Sequence, residues 1–213
     1  MEQNVSEVRK IQAERVIKAL ARNQIHGYYV ADKAAVVEKV QSLLKEGDQV
    51  AVGGSQSLFA TGVIDHLRCG RYTFHDRYQP GLTPDEINEV HRKSFFADAY
   101  LCSCNAITLN GEIYNVDGNG NRVAAISFGP KKVIFVVGVN KIVADLQAAE
   151  ERVRMIAAPA NVLRFQINNP CLVHGQCANC REASRICCIY STIRFQRDPE
   201  RMHVILVGED LGY

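Results

Sequence analysis

Apolar and polar positions along the chain alternate between two rhythms, one of helices and one of strands. In the first segment, 1–23, Val5, Val8, Gln12, Val16 and Leu20 recur at helical spacing with no internal Gly or Pro, which predicts a helix. Gly27–Val30 carries a short strand signal and 32–44 is helical in pattern. Asp48–Val52 predicts a buried strand that ends in Gly53-Gly54, followed by a helix over 55–67 and a strand over 72–78. Thr83-Pro84-Asp85-Glu86 is a helix start, with Thr as N-cap, Pro at the first helical position and Glu three residues on. That helix should reach about Ala97 and feed a strand at Ala99–Cys102. Asn110-Gly111 between Ile107-Thr-Leu and Ile113-Tyr-Asn predicts a hairpin. A Gly-rich loop, a short helix over 122–128 and a continuously apolar strand over 132–139 follow. The pattern then predicts helices over 142–156 and after Pro159, a cysteine segment, and a last strand at His203–Val207.

Strands alternating with helices make this an α/β protein with an open, mainly parallel sheet flanked by helices. A length of 213 residues fits one domain over 1–213. The cysteine segment at about 168–190 reads as an insertion before the last strand. With 47% hydrophobic and 23% charged residues the chain holds enough apolar surface to exclude long disorder. A net charge of +2 offers few phosphate contacts, so no nucleic-acid partner is expected. No apolar run approaches the ~20 residues of a membrane span, and MEQNVSEVRK has no apolar leader core. A cytoplasmic protein without membrane contact is expected.

Cysteine usage adds chemistry to this picture. Five of the eight cysteines fall between positions 171 and 188. In a cytosolic chain such a cluster points to a metal before disulfides. Cys177 and Cys180 form a Cys-x2-Cys turn that can aim two thiolates at one ion, and Cys171 and Cys187 can complete a four-thiolate shell. Soft thiolates select an iron–sulfur cluster, 4Fe-4S being the expected form, or zinc. Cys188 adjoins Cys187 too closely to serve beside it, and Cys102 and Cys104 read as packing.

Three loops carry candidate ligand groups. Gly53-Gly54-Ser55 lies between a strand and a helix, where backbone N–H groups can meet an anion. No Lys follows at P-loop spacing. Asp117-Gly118-Asn119-Gly120-Asn121-Arg122 begins like a calcium loop, but Arg122 and Phe128 stand where an EF-hand needs Gly and Glu. Val123 likewise occupies the third glycine position of a dinucleotide fingerprint. Asp117 can act as a general base or hold a hydroxyl, and Arg122 can clamp a carboxylate or phosphate. Lys141 follows the central strand, at the sheet edge where open α/β folds place ligands.

The stretch NAITLNGEIYNVDGNGNRVAAISFGPKKVIFVVGVNKIV resembles the LUD domain of bacterial lactate-utilisation proteins. VGGSQSL and SFFADAYLCSCNAIT resemble it too, and CLVHGQCANCREASRIC with HVILVGEDLGY is similar to the tail of a cysteine-bearing subgroup. The resemblance implies a fold like that of ribose-phosphate isomerases, sugar-phosphate deaminases and CoA transferases. It also implies a site combining Gly53, Gly54 and Ser55 with Asn105, Asp117, Gly118, Asn121, Arg122 and Lys141, with Asp117 and Lys141 as catalytic candidates. Two functions stay open. One is a redox-linked protein of lactate or organic-acid use, with a small anionic metabolite, an iron–sulfur centre, and a redox partner or a homo-oligomer. The other is a non-redox isomerase- or transferase-like enzyme, or a sensor, with structural zinc.

Overall fold

The computed structural model describes residues 2–213. Helix α1 (Gln3–Arg22) buries Ala13, Val16, Ala19 and Leu20 and leads into β1 (His26–Val30). Asp32 then accepts hydrogen bonds from the N–H groups of Ala34 and Ala35, opening a 3-10 turn that continues as α2 (Val36–Leu43) and β2 (Gln49–Val52). The single helix expected over 55–67 is two, α3 (Gln56–Ala60) and α4 (Val63–Leu67), parted at Gly62. Its φ of 71° is one that glycine adopts without a Cβ clash. Strand β3 (Thr73–His75) is shorter than expected. Helix α5 (Pro84–Lys93) starts on the reciprocal Thr83–Glu86 capping box, and β4 (Ala99–Cys102) follows a 3-10 turn.

Strands β5 (Ala106–Thr108) and β6 (Ile113–Asp117) form the expected antiparallel hairpin. Then come α6 (Asn121–Ser127) and β7 (Lys132–Gly138). Beyond them the structure departs from the sequence pattern. Ile142–Val143, expected to open a helix, forms β8 beside β5. Helix α7 (Leu146–Arg152) starts only after Asp145, whose carboxylate accepts from the Ala148 N–H, and it runs through a π turn at Val153–Ala157 into α8 (Ala158–Arg164). The cysteine segment holds α9 (Pro170–His174) and is followed by β9 (Ile189–Ile193), which pairs with β6. Strand β10 is Met202–Val207.

The main sheet has six strands in the order β1-β10-β7-β4-β2-β3, all parallel. A second sheet, in the order β8-β5-β6-β9, was not anticipated from the sequence. The central strands β2, β4, β7 and β10 are buried on both faces, which accounts for their unbroken apolar runs. Val133, Phe135 and Val137 of β7 pack with α1, α6 and the hairpin, while Ile134 and Val136 pack against α2, α3 and α4. A third cluster joins Ala106, Tyr114 and Val116 of the hairpin to Ala149, Val153 and Ala158.

Gly138 ends β7 at a crowded point. A Cβ there would lie 2.5 Å from the Leu211 backbone N and 2.7 Å from the Glu209 carbonyl oxygen. The same region is tied by Asn140, which accepts from the Leu211 N–H at 3.1 Å and donates to the Gly212 carbonyl at 3.2 Å. Gly138→Ala should therefore cost about 1–3 kcal/mol of stability through overpacking against fixed backbone. Urea denaturation of the two proteins measures it.

Candidate functional site

The loops at the carboxyl ends of β2, β4 and β7, with the loop after β6, surround a cavity of about 480 Å3. Gly54, Ser55, Asn105, Asp117, Gly118, Asn121, Arg122 and Lys141 all line it. Eight of the nine residues expected at a ligand site therefore meet in one place. The ninth, Gly53, stands behind the wall, where a Cβ would come within 2.9 Å of the Tyr100 hydroxyl and 3.0 Å of Arg122 Cδ. Its role is close packing. Ser55 Oγ accepts from the Leu58 N–H at 3.4 Å and so caps α3. That helix spans only Gln56–Ala60, too short for the helix-end anion site expected there.

Arg122 departs from its expected role more sharply. It is nearly buried, and each of its five guanidinium N–H groups has a protein acceptor. Nε donates to Asp117 Oδ1 at 3.0 Å. Nη1 donates to the Ser103 carbonyl at 2.9 Å and to Asn115 Oδ1. Nη2 donates to Asn105 Oδ1 and the Val116 carbonyl, both at 3.0 Å. Asp117 completes the pair, with Oδ1 2.7 Å from Nη2 and Oδ2 accepting from the Val123 N–H at 2.9 Å. Arg122 is thus no free clamp for a carboxylate or phosphate. Asp117, with both oxygens engaged, positions Arg122 and the start of α6; it is not poised as a base.

Lys141 is the opposite case. It is 3% exposed, and its Nζ donates to Ser103 Oγ at 3.1 Å, the Cys104 carbonyl at 3.2 Å and Ser57 Oγ at 3.4 Å. All three partners are neutral, and among the described residues no carboxylate pairs with it. Burial away from water, aided by the charges of Arg152 and Arg122, pushes its amine down to about 8.

Sequence reasoning missed several lining residues. Arg77, Arg164 and Arg185 add cationic groups to the cavity, and Ser103 and Tyr213 add hydroxyls. His91 also lines it; burial and the nearby Arg77 charge push its imidazole down to about 4, so it is neutral near pH 7. Nothing local marks Arg77, His91 or Arg164, because they come from segments distant in sequence from the expected loops. The only carboxylate side chain in the lining is Asp117, already paired with Arg122. The cavity is therefore an anion-attracting space.

The four cysteines expected to bind a metal converge as well. Cys171, Cys177, Cys180 and Cys187 line one small cavity of about 20 Å3. Between Cys177 and Cys180 the chain turns tightly: Asn179 has φ 48°, and its backbone N–H donates to Cys177 Sγ at 3.4 Å. Such a turn with an N–H directed at sulfur suits a metal-binding thiolate. The thiols surround a space without closing on a point, since no three His, Cys, Asp or Glu side chains among the described residues are grouped to grip an ion as they stand. Cys188 is outside this cavity and exposed, while Cys102 and Cys104 belong to the main core, as expected. Ala158, Arg185, Ile186 and Cys187 line both cavities, so the two share a wall.

The LUD domain family model matches residues 13–207. The chain belongs to the LUD domain family. Its fold is similar to that of a DUF162 family protein from Deinococcus radiodurans, with a TM-score of 0.53 at 17% identity, covering 93% of this chain and 98% of that one. The likeness to the tetrameric eIF2B-beta2-delta2 complex from Chaetomium thermophilum is weaker, with a TM-score of 0.43 at 13% identity, covering 82% of this chain and 55% of that one. No curated protein matches the chain. No helix among the described residues of this LUD domain is long and apolar enough to cross a membrane.

Two stability measurements separate the roles of the buried cations. Arg122→Ala leaves Asp117 buried without its partner and should cost about 3–5 kcal/mol in chemical denaturation of the ligand-free LUD domain. A residue serving only a ligand would leave that value unchanged. Lys141→Met should instead stabilise the domain at pH 7 by about 1–3 kcal/mol, by removing a desolvated ammonium. Well below pH 8 the amine is charged in both folded and unfolded chains, so its burial penalty is fully present. Between about 8 and the ordinary 10.5 the folded chain releases the proton first, and wild-type stability rises with pH. The advantage of Lys141→Met should shrink across that window, as denaturation at a series of pH values would record.

Proposed function

We propose that this LUD-domain protein binds a small anionic metabolite, a hydroxy acid or a sugar phosphate, in its large cavity and serves lactate-type organic-acid utilisation. The observation that carries the reading is Lys141: a buried amine without a carboxylate partner, in a cavity whose remaining charged lining is Arg77, Arg164, Arg185 and the internally paired Arg122 and Asp117. A cation kept out of water without a counter-ion favours an anion that supplies one. Arg77 and Arg164 suit planar, bidentate recognition of carboxylate or phosphate oxygens.

Beside this cavity, Cys171, Cys177, Cys180 and Cys187 are the residues to hold a metal centre. The donor set, four thiols around one space with an N–H directed at one sulfur, fits an iron–sulfur cluster or zinc. An iron–sulfur cluster would supply one-electron transfer; zinc would fix the segment structurally. The wall shared by the two cavities favours the redox-linked reading, in which a partner protein exchanges electrons with the centre. In the alternative, a non-redox enzyme or sensor, zinc pins the segment beside the ligand.

Two measurements test the proposal. Lactate, and separately inorganic phosphate, should bind in calorimetry, and Arg77→Ala or Arg164→Ala should weaken binding by about 1.5–3 kcal/mol each, the worth of a charge-assisted contact. Absence of binding by either anion, or binding unaltered in both variants, overturns the anion site. Protein purified without oxygen should carry iron and sulfide, or one zinc, and lose it in the Cys177→Ser, Cys180→Ser double variant. Undiminished metal in that variant overturns the cysteine centre, and zinc without iron decides for the non-redox alternative.

A further inference from the structure

We propose that Lys141 is a nucleophilic amine that forms an imine with the carbonyl group of an anionic substrate, a 2-oxo acid or a phosphorylated aldehyde. The inference rests on the anion-binding reading of the same cavity and adds a covalent step to it.

The geometry is that of an amine kept available for chemistry. Lys141 lines the cavity, and its Nζ has hydroxyls at 3.1 Å (Ser103) and 3.4 Å (Ser57) and one carbonyl oxygen at 3.2 Å (Cys104). A structural lysine in such a place would need a carboxylate to offset its desolvation; this one has none. Arg122, by contrast, is paired with the Asp117 carboxylate, so the fold supplies a counter-ion to a buried cation where it serves structure. The charged and titratable groups acting on Nζ are Arg152, Arg122, Cys104 and Cys102, and the thiols are themselves buried in the core. An amine that titrates at about 8 is partly neutral near pH 7, and the neutral form is the nucleophile.

The step balances without an external oxidant or reductant. The Nζ lone pair attacks the carbonyl carbon, and the carbonyl π electrons move to oxygen. A proton leaves nitrogen for that oxygen through the Ser103 or Ser57 hydroxyl, giving a carbinolamine. The carbinolamine oxygen takes a proton from solvent and leaves as water while the nitrogen lone pair forms the C=N bond, giving a protonated imine. Loss of the remaining N–H proton to solvent returns that proton, so amine and carbonyl compound yield imine and water. The cationic wall would hold the carboxylate or phosphate while the carbonyl faces Nζ, which limits substrates to those bearing both groups.

Reductive trapping tests this on the wild-type, full-length protein. Incubation with pyruvate, or separately with glyceraldehyde 3-phosphate, in the presence of cyanoborohydride converts an imine to a stable secondary amine, and peptide mass spectrometry locates it. The expected result is an adduct on Lys141 from at least one probe, suppressed by excess inorganic phosphate and lost in Lys141→Arg. The probe that labels identifies the substrate class. Phosphate binding in calorimetry without an adduct on Lys141 from either probe overturns the imine and leaves the anion site standing. Labelling spread over surface lysines and indifferent to phosphate overturns it equally. If neither lactate nor phosphate binds and neither probe labels Lys141, both readings fall.

Discussion

Arg122 reaches from the first turn of α6 into the junction between the two sheets, and the geometry of the cavity depends on where its guanidinium is held. Its acceptors come from the turn after β4 and from β6. Both segments form cavity walls. A guanidinium removed from water is tolerable only when its charge is paired and its N–H groups are answered, and here both conditions are met. Gly53 matters for the same reason: a side chain there would displace the aliphatic stem of Arg122. One polar side chain thus fixes the relation of β2, β4, β6 and α6 in a way that apolar packing, which has no direction, could not.

Against that background the two buried cations divide the labour of the cavity. The pair of Arg122 and Asp117 is closed upon itself and gives shape. Lys141, delivered by the 3-10 turn after β7, is left with neutral partners. The same fold therefore holds one charge that is complete and one that is incomplete, a few residues from each other in space. Sites that retain an unsatisfied charge at a cost to stability are where binding and chemistry are found.

Much of this could be read from the chain, for reasons that are local. The central strands of the main sheet are buried on both faces and so appear as unbroken runs such as Val133–Val137; the hairpin is declared by Asn110-Gly111, and α5 by Thr83 and Glu86. The loops expected to meet at a ligand site do meet, because parallel strands bring their carboxyl ends to one edge. What could not be read is non-local. Ile142–Val143 looks like the start of a helix until β5 lies beside it, and Ile189–Ile193 becomes a strand because β6 offers a partner. The pairing of Arg122 with Asp117 is not legible for the same reason: a loop Arg near an Asp reads equally as a ligand clamp or as an internal pair, and the positions of Asn105, Asn115 and two carbonyl groups are set by the fold. Arg77, Arg164 and Arg185 reach the cavity from three separate segments, with no shared motif to announce them.

The strand order has a kinetic consequence. Strand β1 lies at the edge of the main sheet, and its neighbour there is β10, so that Tyr28 and His203, 175 residues apart in sequence, touch through a hydrogen bond. While the chain is emerging from the ribosome β1 has no strand to pair with, and β7, which β10 also flanks, waits with an open side. Closing so long a loop carries a large entropic cost before any reward, so assembly of the sheet is slow and late. In that interval the apolar edges of β1 and β7 stand exposed to other nascent chains, and shielding by a chaperone matters most then.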